Sequence, residues 1–173
     1  YTTVQAGEPY NSKAIGVAVG DTPTGPFTDA IGQPLVTDDM TSNGPRGWWN
    51  DIDPTALIDD NGQAWLCWGN GTCFLTESDG DIQVIDLPRY VEEPWLHKHG
   101  NLYYLTYASF GQGRETISYA TAPGMEGPWT PQGELTGMAE NSFTIHPGIA
   151  EFQGKWYLFY HNATLTLDGH AGA

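Results

Sequence analysis

Three segments of the sequence share one pattern, in which a carboxylate or imidazole side chain stands just before a proline and an aromatic-rich run follows a glycine. The prolines are at positions 54, 94 and 147, so successive copies are 40 and 53 residues apart. Periods near 40 to 50 residues are typical of β-propeller blades and not of helical repeats. Because the innermost strands of successive blades face one channel, equivalent positions in the copies are expected to converge.

A second pattern supports the repeat. Ile15 and Ile117 each lie in a strand-like run and are each followed, ten residues later, by a Gly-Pro-aromatic turn. In the unit that begins at Asp53, the sequence predicts strands at 53–58, 64–68 and 81–87, a turn at 59–62, and a loop between the second and third strands. Residues 1–173 are interpreted as one domain.

The composition indicates the fold class. Apolar residues make up 39% of the chain and aromatic residues 13%, which is enough for a packed core. The chain also has 22 glycines and 12 prolines and lacks long runs of helix-forming residues. The sequence therefore predicts an all-β fold.

The net charge restricts the partners. The formal charge is −15 with six basic residues, whereas nucleic acids and anionic membranes attract basic surfaces. We expect neither as a partner, and a neutral substrate fits better.

The sequence contains no recognisable signal peptide or transmembrane segment. We expect an extracellular location, although no targeting motif indicates it. Cys67 and Cys73 are too few for a thiolate metal site; whether they pair is open.

The residues before the prolines are candidates for acid and base chemistry. Hydrolysis of a glycosidic bond needs one protonated carboxyl group that donates to the leaving oxygen and one carboxylate that activates water. Glu92 is the preferred donor, and Asp53 is the preferred base or the group that raises the donor's pKa. Glu92 and Glu93 are adjacent and point to opposite faces of a regular strand, so only one is expected in the channel, with Glu92 narrowly favoured.

Two further residues are candidates for substrate or metal binding. His146 heads the third copy, where an imidazole is suited to bind a metal ion, a water molecule or a substrate; a buried structural histidine is the alternative. Trp49 is predicted either to pack or to offer a platform on which a sugar ring stacks.

The motifs resemble glycoside hydrolase family 43. Asn50-Asp51-Ile52-Asp53-Pro54 is similar to the family's second-aspartate segment, Tyr90 to Leu105 is similar to its general-acid segment, and Asn141 to Ile149 is similar to the segment with its central histidine. The resemblance implies a five-bladed propeller and inverting hydrolysis of β-xylosides or α-L-arabinofuranosides. It implies that Glu92 is the general acid, Asp53 its pKa modulator, and His146 a central group beside a calcium ion or a water.

The chain also departs from this family pattern. No segment matches the catalytic base aspartate of the first blade or the closing blade, and Glu93 replaces a small residue. We therefore expect three to four of five blades here, with the rest supplied by further segments or a second polypeptide, and an inactive chain when it is alone. The expected partner is a xylose- or arabinose-containing saccharide; no cofactor is required, although a structural calcium ion is compatible. The alternative is a carbohydrate-binding propeller without catalysis.

Overall fold

The computed structural model describes residues 2–5, 13–41, 49–78 and 80–165. These residues form β-strands and no α-helix, which confirms the all-β prediction. None of the described segments forms a helix that could span a membrane. The strands in chain order are β1 (Thr2–Gln5), β2 (Lys13–Gly16), β3 (Ala18–Val19), β4 (Thr28–Asp29), β5 (Thr55–Ile58), β6 (Ala64–Trp68), β7 (Cys73–Glu77), β8 (Gln83–Ile85), β9 (Tyr90–His99), β10 (Leu102–Gly111), β11 (Arg114–Ala122), β12 (Thr130–Thr136), β13 (Gly148–Phe152) and β14 (Lys155–Phe159).

The first four-stranded sheet is an antiparallel meander of β5 to β8. Its first turn follows the prediction: the Gly62 amide donates to the Asp59 carbonyl at 2.8 Å, and Gly62 has φ of +85°, which glycine adopts without strain. The prediction of a loop between the strands at 64–68 and 81–87 is wrong, because β7 lies between them. This strand pairs with β6 and β8 and is buried at Cys73, Phe74 and Leu75, so its neighbours in space stabilise it.

The second four-stranded sheet contains β9 to β12, again in sequential antiparallel order. Its inner strand is irregular at the candidate acid: Trp95 pairs with Thr106 and Glu92 with Ala108, so Glu93 and Pro94 together oppose one residue of β10. Such an inserted residue is a β-bulge, which bends the strand and redirects its side chains. Glu93 has φ of +50° at this point.

Three smaller antiparallel pairs complete the described structure: β1 with β2, β3 with β4, and β13 with β14. The last pair follows His146 directly, just as β5 follows Asp53. Both residues thus lie two positions before the first strand of a sheet, while Glu92 is the third residue of β9. The sequence repeat therefore corresponds to equivalent structural positions.

The core lies between the two four-stranded sheets. The first sheet contributes Trp65, Cys67, Cys73, Leu75 and Ile85, and the second contributes Leu96, Tyr103, Leu105, Tyr107 and Ala120. A second cluster of Ile15, Val36, Leu66, Trp68 and Phe74 packs the other face of the first sheet against the N-terminal segment. Each fully buried large apolar side chain stabilises the fold by about 1.5–3 kcal/mol. This face-to-face packing brings the starts of β5 and β9 together.

Candidate active site

The three residues singled out by the repeat converge, although they are far apart in sequence. His146 lies 54 residues after Glu92, and its Nε2 atom is 3.0 Å from the Glu92 Oε1 atom. Asp53 lies close enough to Glu92, Glu93 and His146 for the charge of each to act on its carboxyl group. The predicted convergence of Asp53, Glu92 and His146 is therefore observed.

The expectation that only one of Glu92 and Glu93 reaches the site is wrong. His146 contacts both: its Nε2 atom faces Glu92, and its Nδ1 atom lies 3.6 Å from the Glu93 Oε2 atom. Adjacent residues of a regular strand would point apart. The bulge and the left-handed backbone of Glu93 remove this alternation, so both carboxylates reach the same imidazole ring.

A further carboxylate, which the sequence did not indicate, lies near the same imidazole nitrogen as Glu92. Glu115, at the start of β11, has a side chain only 3% exposed, and its Oε2 atom lies 3.8 Å from His146 Nε2. The same oxygen accepts a hydrogen bond from the Ile145 amide at 3.1 Å, which fixes Glu115 beside the segment that carries His146. We refer to Asp53, Glu92, Glu93, Glu115 and His146 as the acidic cluster.

The local backbone explains how Asp53 is placed. Asn50 and Asp51, which precede it, are buried. The Thr41 hydroxyl and the Trp68 indole nitrogen donate to the Asp51 carboxylate at 2.8 and 3.0 Å, and the chain then enters Asp53 with φ of +56°. Asp and Asn are among the residues that tolerate this conformation. Asp51 is thus an anchor for the loop, a role that the sequence motif did not distinguish from that of Asp53.

Burial and neighbouring charge change the proton affinity of Asp53. Desolvation, followed by the charges of Glu93 and Glu92, raises its pKa to about 8 from an ordinary value of 3.8, although the charge of His146 opposes this. Its Oδ2 atom is buried without a hydrogen-bond partner in the described part of the chain, which fits a carboxyl group held in the neutral form.

His146 is shifted toward its charged form. Burial alone would lower its pKa, but the hydrogen bond with Glu92 and the charges of Glu93, Glu92 and Glu115 raise it. Desolvation likewise raises the pKa of Glu115, assisted by the charge of Glu92. The acidic cluster therefore places four carboxyl groups around one imidazole ring, and the protonation of each group depends on that of its neighbours.

The turn between β6 and β7 also contributes to the site. The Asn70 side-chain amide donates to the Glu92 Oε2 atom at 2.5 Å, across 22 residues of sequence. The two carboxylate oxygens of Glu92 therefore have different partners, Asn70 and His146. The sequence did not indicate Asn70, because a residue in a Gly-Asn-Gly turn is ordinarily explained by the turn alone.

The structure also places the remaining candidates. Trp49 is 41% exposed, and the Lys13 ammonium lies 4.9 Å from its ring centroid. Its function as a sugar platform stays a prediction, and its neighbour at position 48 lies outside the described residues. Cys67 and Cys73 are both buried and free, with sulfur atoms 3.5 Å apart, so they do not form a disulfide.

Glu92, Glu115 and His146 offer three donor atoms that lie within 4.8 Å of one another. Two carboxylates and an imidazole are a reasonable donor set for a divalent ion, but calcium prefers six to eight oxygen ligands. The direct contact between His146 and Glu92 would have to open to admit an ion. The fit to calcium is therefore partial, and water would have to supply most ligands.

Comparisons with known proteins agree with these motifs. The family model for glycosyl hydrolases family 43 matches residues 93–172. An arabinoxylan arabinofuranohydrolase of Paenibacillus polymyxa is 27% identical over 88% of this chain and 29% of its own length. A β-D-galactofuranosidase of Aspergillus niger is 33% identical over 85% of this chain and 46% of its own length.

Solved structures show the same likeness. An α-L-arabinofuranosidase from Clostridium thermocellum superimposes with a TM-score of 0.73 at 30% identity, over 88% of this chain and 54% of the other. The chain thus spans about half or less of the length of these relatives. Three ordered motifs, the family model over residues 93–172 and the shared fold together support the interpretation of this chain as part of a protein of glycosyl hydrolases family 43.

Proposed function

We propose that the protein is part of an inverting glycoside hydrolase that acts on β-xylosides or α-L-arabinofuranosides of plant hemicellulose, such as xylan, arabinoxylan or arabinan. The observation that carries the proposal is the convergence of Asp53, Glu92 and His146 in one cluster. The names of the relatives support the substrate class: one is an arabinoxylan arabinofuranohydrolase, and another, a family 43 enzyme of Xanthomonas citri, was solved with xylotriose.

In this proposal Glu92 is the general acid. Its side chain is 14% exposed, which gives a substrate access to a carboxyl group whose position two hydrogen bonds fix. The carboxyl groups of Asp53 and Glu92 interact, so a proton bound at one changes the proton affinity of the other, and Asp53 modulates the acid through this coupling. His146 holds Glu92 and Glu93 in place. His146 and Trp49 would contact the sugar. The base must be a further carboxylate about 6.5–9.5 Å from the acid, with room for a water molecule.

We propose that this base and the remaining strands come from sequence outside this chain and complete a five-bladed propeller. Two observations support this view. The chain spans only part of its relatives' length, and the β13–β14 pair leaves large apolar side chains exposed, among them Phe152, Tyr157 and Phe159. Further strands packed on this pair would remove those side chains from water.

The decisive experiment compares hydrolysis by the parent and by Glu92→Gln, which keeps the shape but cannot donate a proton. Both are prepared as the 173-residue chain and within a longer polypeptide that completes the propeller. In the longer form, Glu92→Gln should lose about 10²–10⁴ of kcat on xylobiose and arabinoxylan fragments, and much less on dinitrophenyl pentosides, which need little acid assistance.

The matched control is Glu134→Gln, because Glu134 is exposed on β12; it should retain parental activity. Unchanged turnover in Glu92→Gln would overturn the assignment. Sugar binding without turnover by the complete parent would instead indicate the carbohydrate-binding alternative. Turnover by the 173-residue chain alone would refute an external base.

We further propose that hydrolysis requires no cofactor and that calcium, where it binds, is structural. Treatment with EDTA should then leave kcat unchanged, while added calcium raises the thermal midpoint of the parent but not of Glu115→Gln. An extracellular location is proposed from the polymeric substrate and the acidic composition; detection of the protein in culture medium tests it.

A further inference from the structure

The turn between β6 and β7 is bonded to both chain segments that carry the candidate carboxylates. The Gly69 amide donates to the Ile52 carbonyl at 3.0 Å, next to Asp53, and the Gly71 amide donates to the Val91 carbonyl at 2.6 Å, next to Glu92. The Tyr90 hydroxyl donates to the Gly69 carbonyl at 2.8 Å. These three hydrogen bonds therefore hold the turn in a fixed position relative to the segments that carry Asp53 and Glu92.

The shape of this turn depends on glycine. Gly69 has φ of +128°, and a Cβ atom there would lie 2.0 Å from the Thr72 carbonyl oxygen. Gly71 also has a positive φ, of +73°. Any other residue at position 69 would have to move the backbone of the turn. The two glycines thus determine the backbone conformation that places the Asn70 side chain beside Glu92.

The Asn70 contact makes the two oxygens of Glu92 chemically different. A side-chain amide nitrogen only donates, so the Oε2 atom that faces Asn70 Nδ2 must accept. Because a carbonyl oxygen accepts more strongly than a hydroxyl oxygen, this contact favours the proton of a neutral Glu92 on Oε1, the atom that faces His146. Without Asn70, a free carboxyl group could carry its proton on either oxygen and rotate about its terminal bond.

Resting on the function proposed above, we propose that Asn70 is a positioning residue that holds the transferable proton of Glu92 on Oε1 and fixes the plane of the carboxyl group. The leaving oxygen of a substrate must then approach Oε1. The proton moves from Oε1 to that oxygen as the glycosidic bond breaks, and Asn70 keeps its hydrogen bond to Oε2 throughout. Misplacement of a reacting group by about 1 Å can cost about 100-fold in rate.

The test uses Asn70→Ala, the isosteric Asn70→Asp and, as matched control, Asn101→Ala, because Asn101 is exposed in the β9–β10 turn. In the complete polypeptide, Asn70→Ala should lower kcat on xylobiose about 10- to 100-fold, with KM within about twofold, and should change dinitrophenyl pentoside hydrolysis little. Asn70→Asp should be equally impaired at neutral pH and recover on acidification, since the introduced carboxylic acid can donate once protonated. Asn101→Ala should match the parent.

Equal losses on both substrates would show a merely structural effect of the turn, and no loss would show that the contact is irrelevant; both would overturn the proposal. A crystal structure of Asn70→Ala adds a readout independent of turnover. We expect the Glu92 carboxyl group to rotate or adopt several rotamers, and an unchanged carboxyl group would also overturn the proposal. If Glu92→Gln retains full activity while Glu92 rotates in Asn70→Ala, the proposed function fails and the positioning contact stands.

Discussion

Replacing Asp53 with asparagine should change how stability depends on pH. In the folded protein, burial and the charges of Glu93 and Glu92 raise the pKa of Asp53 to about 8, against 3.8 ordinarily. The folded state therefore binds this proton more tightly than the unfolded chain does. By linkage, its contribution to the free energy of unfolding is fully present below about pH 4 and is lost as the pH rises toward 8.

The size of the effect follows from the proton count. Between pH 5 and pH 7 the folded protein keeps the Asp53 proton, and the unfolded chain has already released it. Each increase of one pH unit then lowers the free energy of unfolding by about 1.4 kcal/mol. Through Asp53 alone, the free energy of unfolding of the parent should therefore fall by about 2–3 kcal/mol across this interval. Asp53→Asn is neutral, has nearly the same shape and tolerates the positive φ, so this loss should be absent from it.

The assay is urea unfolding of parent and Asp53→Asn at pH 5 and pH 7. The stability of the variant relative to the parent should improve by about 2–3 kcal/mol between these values. Subtracting the two proteins removes the contributions of ionisable groups that do not interact with Asp53. Asp21→Asn, at an exposed position, should keep the parental pH dependence. A parent-to-variant difference that stays constant from pH 5 to pH 7 would show that Asp53 is ionised throughout, which would refute the electrostatic description of the site.

Two other predictions concern the cluster and the core. Glu93→Gln should lower the pKa of His146 in an NMR titration, because one of the charges that raise it disappears; an unmoved titration would contradict the contact at Nδ1. Leu105→Ala should lower the free energy of urea unfolding by about 2–5 kcal/mol, since Leu105 is fully buried between the sheets. The exposed Leu102→Ala should cost less than about 1 kcal/mol, and equal costs would contradict the position of the core.

The sequence contained enough information for the fold class and for part of the site. Strands were predictable where a turn with a local signal bounded them, as at Asp59 to Gly62 before β6. They were not predictable where only neighbouring strands supply the stabilisation, as for β7. The repeat indicated Asp53, Glu92 and His146, because equivalent positions in pseudo-symmetric sheets converge whatever their separation along the chain.

The tertiary structure alone decided the rest of the site. Asn70 and Glu115 reach Glu92 and His146 through contacts across many residues, and neither stands in a local pattern that distinguishes it from a turn or strand residue. The alternation rule allowed only one of Glu92 and Glu93 into the site, and only the bulge brings both to the imidazole. Sequence determines period, turn chemistry and the order of motifs because these are local, whereas proton affinities and hydrogen-bond partners depend on distances that exist only after the sheets pack.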